Sequence, residues 1–442
     1  MSTRERLRQI MHLALPIVGG MLSQNLLNLV DTAFVGRLGG AALGAVGMGG
    51  FVVFMLITLV MGPAAGGVQA IVARRVGEER HSEAAVALNG GILLALVFGI
   101  PVSLAAAALT PSFFPLLNPD PDIVAAGVPY VQVRMLSLVP VSINYAFRGF
   151  WNGISMPKMY LRTLLLIHTT NIVLDWVLIF GNLGAPALGT FGAGLASAIA
   201  TCVGSLFYIR LGFRYARDAG FAHGLPDRTT IAGMIRLGVP VGLQQFSFFL
   251  GFTILFWIIG RVGTAELGVA TVLVNMTLVA ILPGMGLGMA AATFAGQARG
   301  RGDIDEAERW GWAVVRVACV YAVVLASVFV AIPDVILGIF VVDDSLVALA
   351  RWPLRVVGIG LIFDVSGIVL SNALQGVGDM RRVLFVSLTL QWGLMLPAAY
   401  TVGPLLGHGL LAIWIVLGIW RGLGVLAYGT LWHGRAWADI HV

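Results

Sequence analysis

Residues Phe34–Gly47 read FVGRLGGAALGAVG, and Ile258–Thr271 read IIGRVGTAELGVAT. Arg37 and Arg261 hold the same place in the two strings, an offset of 224 that Pro16 and Pro240 also keep. ARRVGEE from Ala73 then matches ARGRGDI from Ala298 at offset 225, and AFRG from Ala146 matches ALQG from Ala373 at offset 227. Matched segments in one order mark an internal duplication. The unit that repeats decides the fold.

That unit is a set of apolar helices. The chain of 442 residues is 58% hydrophobic and only 11% charged, with mean hydropathy +0.93. Soluble domains carry about 25% charged residues. Apolar runs of about 20 residues span a bilayer as helices. Twelve such runs fall near 10–36, 43–73, 84–110, 123–150, 158–181, 188–212, 231–261, 266–296, 308–332, 348–376, 381–403 and 408–430. The short alternating strands of a membrane barrel are not seen. The prediction is an all-α membrane protein of about twelve spans in two homologous six-helix lobes. The lobes cover 1–215 and 231–442, joined by the polar loop ARDAGFAHGLPDRTT at 216–230. An even number of spans per half makes the repeats parallel, about an axis along the membrane normal. Two such lobes facing each other imply a central cavity and alternating access.

The basic residues orient the chain. Arg4, Arg6, Arg8, Arg74, Arg75, Arg80, Lys158, Arg162, Arg210, Arg214, Arg217, Arg228, Arg299, Arg301, Arg309, Arg381 and Arg382 fall on one face. Asp120, Asp122, Asp334, Asp343 and Asp344 fall on the other, with only Arg37, Arg261 and Arg351 as cations. Both termini are therefore expected on the cytoplasmic side. The first run continues through Gln24, Asn25 and Asn28 without a cleavage site, so it reads as a retained helix rather than a signal peptide. The net charge of +6 marks a membrane face and not a nucleic-acid partner. Cys202 and Cys319 lie in apolar runs and read as small buried hydrophobes. The sequence has no nucleotide-binding loop, no H-E-x-x-H and no soluble catalytic domain, so no enzyme and no cofactor is implied.

Few ionisable residues lie well inside the runs: Asp31, Asp175 and Asp364, with His168, Arg134, Arg148 and Arg316 mostly nearer the ends. A charge at the bilayer centre costs at least about 2.5–3.5 kcal/mol, so such residues face the bundle interior. Gln24, Asn28 and Asp31 are spaced by four and three and share one helix face. Asn171 and Asp175 are one turn apart in NIVLDWVLIF. Their oxygens suit a hard cation such as Na⁺. Two close carboxylates can equally hold a proton between them. The spacing does not choose between the two. Asp364 has no acidic mate: offset 227 puts Ser137 in its place, and offset 224 puts Leu255 opposite Asp31. Asp364 is read as a contact for a cationic substrate or as a second coupling site. His168 reads first as a packing histidine and second as a proton relay. Met285 and Met289, in LPGMGLGMA, suit an adaptable pocket. Pro16 and Pro240 are kink or hinge positions.

These motifs resemble a known family. Pro16, VDT at Val30–Thr32 and VGRLG at Val35–Gly39 are similar to the first-helix signature of the multidrug and toxic compound extrusion (MATE) transporters. AFRGFWNG, ALQGVGD, NIVLD and GLASAIAT add to the likeness, which spans essentially the whole chain. The resemblance implies a V-shaped pair of six-helix lobes in a bacterial cytoplasmic membrane, where a monomer suffices. It implies export of small cationic amphipathic compounds driven by inward H⁺ or Na⁺. Asp31, Asn171, Asp175 and Thr201 match the family's cation site in the first lobe, a site for either ion. Asp364 matches an acid of the sodium-coupled branch. That branch also has a glutamate shortly after the proline matching Pro240. Here the region reads VGLQQFSFFLG, with only Gln244, Gln245 and Ser247 polar. The pattern is closest to the DNA-damage-inducible (DinF) branch, often proton-coupled. The runner-up is a flippase of the same superfamily for lipid-linked substrates. Such a protein would want a basic cavity.

Overall fold

The structure is a computed structural model and describes residues 3–340 and 343–440, the side chain of Pro63 apart. Among the described residues there is no strand. The first half of the chain folds into α1 (Thr3–Gly36), α2 (Gly40–Ala65), α3 (Val68–Gly77), α4 (Val86–Leu117), α5 (Pro121–Leu136), α6 (Leu138–Gly153), α7 (Pro157–Phe180) and α8 (Gly189–Tyr215). The second folds into α9 (Arg228–Gly260), α10 (Thr264–Gly300), α11 (Ile304–Ala331), α12 (Pro333–Phe340), α13 (Asp344–Gly376), α14 (Met380–Leu388), α15 (Leu396–Tyr400) and α16 (Gly409–His433). Eleven of the described helical segments are long and apolar enough to cross a membrane, and α5 with α6 makes a twelfth. The chemistry demands helices here, because lipid offers no partner to a backbone N–H or C=O.

Three of the predicted spans are not simple helices. The second parts at Gly66–Gly67 into α2 and α3. The fourth is bent by 47° between α5 and α6. Pro140 has no N–H for the Leu136 carbonyl, and the Ser137 hydroxyl donates to the Arg134 carbonyl at 2.6 Å. Its counterpart in the second half, α13, runs unbroken. The eleventh span winds as π-helix over Thr389–Met395 and Thr401–Leu405, on either side of α15. Buried Gln391 there donates to the Phe248 carbonyl at 3.1 Å, and Trp392 donates to Ser247 Oγ at 2.6 Å. The widened turn aims both side chains at α9.

Two compact units divide the chain: Leu15–Leu243, and Met1–Ala14 with Gln244–Val442. The division passes inside α1 and α9, just before Pro16 and about one turn after Pro240. It does not pass through the 216–230 loop. Both helices stay continuous across their prolines. In the first unit α7 packs along α8, α5 lies against α2 and α8, and α4 lies against α5 and α6. Val53, Ile57, Phe114, Tyr130, Val131 and Met135 fill the core between them. The loop is fastened to α4 by Asn89, which donates to the Gly220 and Gly224 carbonyls and accepts from the Ala222 amide. In the second unit α10, α11 and α16 surround α13. Leu354, Val357, Leu361, Ile413, Trp414 and Leu417 form that core.

Candidate functional site

In the first unit α1 and α7 run side by side in the same direction. Gly20 permits this: a Cβ there would stand 2.8 Å from Tyr160 Cε1 and 2.9 Å from Leu164 Cδ1. Small residues let helix backbones close in a membrane, where packing rather than water drives association. One turn further, Gln24 Oε1 meets His168 Nε2 at 3.1 Å, and Gln24 Nε2 donates to Asn28 Oδ1 at 3.2 Å. Beyond that pair the Asn171 amide bridges two acids. Its Nδ2 donates to Asp175 Oδ2 at 2.5 Å and to Asp31 Oδ1 at 3.4 Å. The four-and-three spacing on α1 and the four-residue spacing on α7 thus put the two polar faces in register.

Asn171 and Asp175 are buried, at 3% and 1% exposure, whereas Asp31 is half-buried. Among the described residues nothing donates a hydrogen bond to the buried Asp175 Oδ1. Arg134, on α5, lies near enough to attract both carboxyls. The Asn171 amide holds the two carboxyls close to each other. One proton, or one monovalent cation, relieves the repulsion between them. The amide group of Asn171 is turned so that its N–H faces the acids, an orientation assigned by the hydrogen bonds it makes.

The other predicted residues lie elsewhere. Thr201, on α8, makes no side-chain bond to the acids; its hydroxyl donates to the Ser197 carbonyl at 2.7 Å. Its own carbonyl accepts from Asn144 Nδ2 at 3.2 Å, and Asn144 Oδ1 accepts from Ser205 at 2.8 Å. Met285 and Met289 are half-buried, one turn apart on α10. Asp364 is in the second unit, where Arg421 Nε of α16 stands 3.0 Å from its Oδ1. Gln244 accepts from Gln375 Nε2 at 3.0 Å, so two of the three polar residues of VGLQQFSFFLG, Gln244 and Ser247, have amide and indole partners.

Sequence reading missed four contributors: Arg134 as a charge that attracts both acids, Asn144, Gln375 and Arg421. The signal for Arg421 was present, a lone cation in the middle of an apolar helix. Among the described residues no cluster of three or more His, Cys, Asp or Glu side chains suits a bound metal.

The comparisons with known proteins agree with this architecture. The model of the family described as MatE matches residues 16–177 and again 240–401. The two matches begin at Pro16 and Pro240, repeating the duplication read from the sequence. The "Probable multidrug resistance protein NorM" of Pseudomonas aeruginosa is 28% identical over 443 residues, covering 96% of this chain and 88% of that one. The protein of the same name from Pasteurella multocida is 26% identical over 401 residues, covering 89% and 86%. Among solved structures, an outward-facing multidrug resistance MATE family transporter of the MOP superfamily superposes with TM-score 0.88 at 22% identity, covering 98% of this chain and 97% of that one. A MOP superfamily transporter from Pyrococcus furiosus gives TM-score 0.87 at 22% identity, covering 97% and 96%. With more than half of its length matched in two copies, the chain belongs to the MatE family of multi-pass membrane transporters, which are not enzymes.

Proposed function

We propose that this chain is a multidrug efflux antiporter of the bacterial cytoplasmic membrane, with both termini cytoplasmic, and that it exports organic cations against an inward flow of protons. The Asn171 amide between Asp31 and Asp175 carries the reading. It presents an N–H to two acids held close together. A Na⁺ ion in a site of this kind needs several oxygens. Here Asn171 turns its nitrogen to the acids, which favours the proton.

A proton entering from outside neutralises one acid of the pair, relieves the repulsion between the two carboxylates and so changes how α1 packs on α7. Cargo and proton thereby stabilise different states, and exchange follows from their differential affinity for each. The driving force is about 2.3 kcal/mol per charge per 100 mV, plus about 1.36 kcal/mol per pH unit. In this reading Gln24 and Asn28 are exposed contacts for cargo beside the acids. Met285 and Met289 supply adaptable apolar surface, and Asp364 supplies charge in the second unit.

The test is efflux of a fluorescent cationic dye from proteoliposomes under a pH gradient or a Na⁺ gradient applied separately. The expected result is efflux driven by the pH gradient alone and lost in Asp31→Asn and Asp175→Asn. Efflux that needs Na⁺ would reassign the coupling ion. No efflux under either gradient would turn the reading toward lipid-like cargo.

A further inference from the structure

Arg421 lies near the middle of α16, a span of mean hydropathy 2.1. Its side chain is 9% exposed and that of its partner Asp364 is 16% exposed. A buried guanidinium–carboxylate pair is usually two-pronged, with both oxygens satisfied. This one is not. Arg421 Nε approaches Asp364 Oδ1 at 3.0 Å without hydrogen-bond geometry, and Asp364 Oδ2 is buried with no hydrogen-bond partner. A buried ion pair offsets the loss of water only when its geometry is good and its remaining lone pairs are used. Neither condition holds, so stability does not account for the pair. Gly360, one turn before Asp364, leaves room for the arginine: a Cβ there would stand 2.9 Å from Nη1. The guanidinium thus lies over bare backbone, held at one point, beside a carboxylate oxygen with unused capacity.

We propose that Arg421 is a tethered counter-cation, which holds Asp364 while the transporter is empty and is displaced from it by an incoming organic cation. The inference rests on the cationic cargo proposed above and adds how that cargo is admitted. An ammonium or amidinium group with N–H donors can engage both Asp364 oxygens, including the one that Arg421 leaves free. A quaternary ammonium has no N–H and competes less well. A neutral compound does not compete.

The test is binding of ethidium, a planar cation with N–H donors, to the purified full-length protein in lipid nanodiscs, read by fluorescence polarisation. Arg421→Gln removes the competitor and is expected to tighten binding about 5- to 10-fold, since the site no longer has to be vacated. Gly360→Ala keeps both charges and crowds the guanidinium off its seat, with an expected gain of about 2- to 3-fold by the same argument. The neutral pair Asp364→Asn with Arg421→Gln, which leaves no unpaired charge to unfold the protein, is expected to bind at least about tenfold more weakly than wild type. Wild-type affinity in that double variant overturns the proposal. So does a folded Arg421→Gln or Gly360→Ala protein that binds no tighter than wild type. Wild-type protein that binds no ethidium at all removes the cationic-cargo reading and this inference together. Wild-type binding that the variants fail to move removes the inference alone.

Discussion

Asp175 and Asp364 are both carboxylates set deep in apolar helices of a duplicated fold, yet their surroundings are opposite. Asp175 shares the Asn171 amide with a second acid, Asp31. Asp364 faces a permanent cation, Arg421. Like charges held close in low dielectric are relieved by taking up a cation from outside; unlike charges have that cation built in. The duplication kept the helices and let the chemistry diverge. In the first unit the acid stands against another acid. In the second it is neutralised by the chain itself.

The largest effect expected from this contrast is on coupling. Asp175→Asn or Asp31→Asn should reduce dye efflux driven by a pH gradient by about 100-fold, near the upper end of ordinary coupling energies. Dye binding without a gradient should survive in both. Stability should move the other way. Replacing one acid of a like-charge pair removes a repulsion, so Asp175→Asn should unfold at the same temperature as wild type or higher, as is common where function holds a site away from its stability optimum. Asp364→Asn strands a buried guanidinium and should cost about 3–5 kcal/mol in thermal or denaturant unfolding. Equal melting temperatures for the two variants would end the comparison. A smaller effect is expected from Asn171→Leu, which keeps the volume but removes the donor shared by the acids. Losing it should cost about 1–3 kcal/mol of site organisation and weaken efflux without abolishing it.

Much of this was legible in the sequence, for physical reasons. The spans follow from hydropathy because lipid leaves the backbone no alternative to helix. The duplication is visible at helix ends, where Gly, Arg and Pro have positional duties that drift slowly in kind. Asp31, Asn171 and Asp175 were found because polar residues three and four apart in an apolar helix define a face. What escaped depends on contacts between distant segments. The break at Ser137 requires Pro140 to strip the Leu136 carbonyl of its donor. The π-winding around Gln391 requires a free carbonyl at Phe248 on another helix. Arg421 stands alone in an apolar run, but its partner Asp364 is named only when another helix is brought against it. Thr201 entered through the family resemblance alone, and a hydroxyl in a helix can always turn back to its own carbonyl four residues earlier.

That last alternative sets the smallest prediction. The Thr201 hydroxyl donates to the Ser197 carbonyl at 2.7 Å, while the bonds from Asn144 and Ser205 reach the Thr201 main-chain oxygen, which a side-chain change leaves in place. Thr201→Val is close in shape and removes a bond that the helix does not need, so proton-driven efflux should stay within about twofold of wild type, inside the spread of ordinary surface-like substitutions. Asn144→Leu should do more harm, because it removes both the amide that donates to the Thr201 carbonyl and the oxygen that accepts from the Ser205 hydroxyl. If Thr201→Val instead silences efflux as Asp175→Asn does, the hydroxyl oxygen serves the acids' site during the transport cycle, through a lone pair that its bond to Ser197 leaves unused. The site would then gain an oxygen ligand from α8, the balance between proton and Na⁺ would shift toward the metal ion, and the first unit would differ from the second in coordination chemistry as well as in charge.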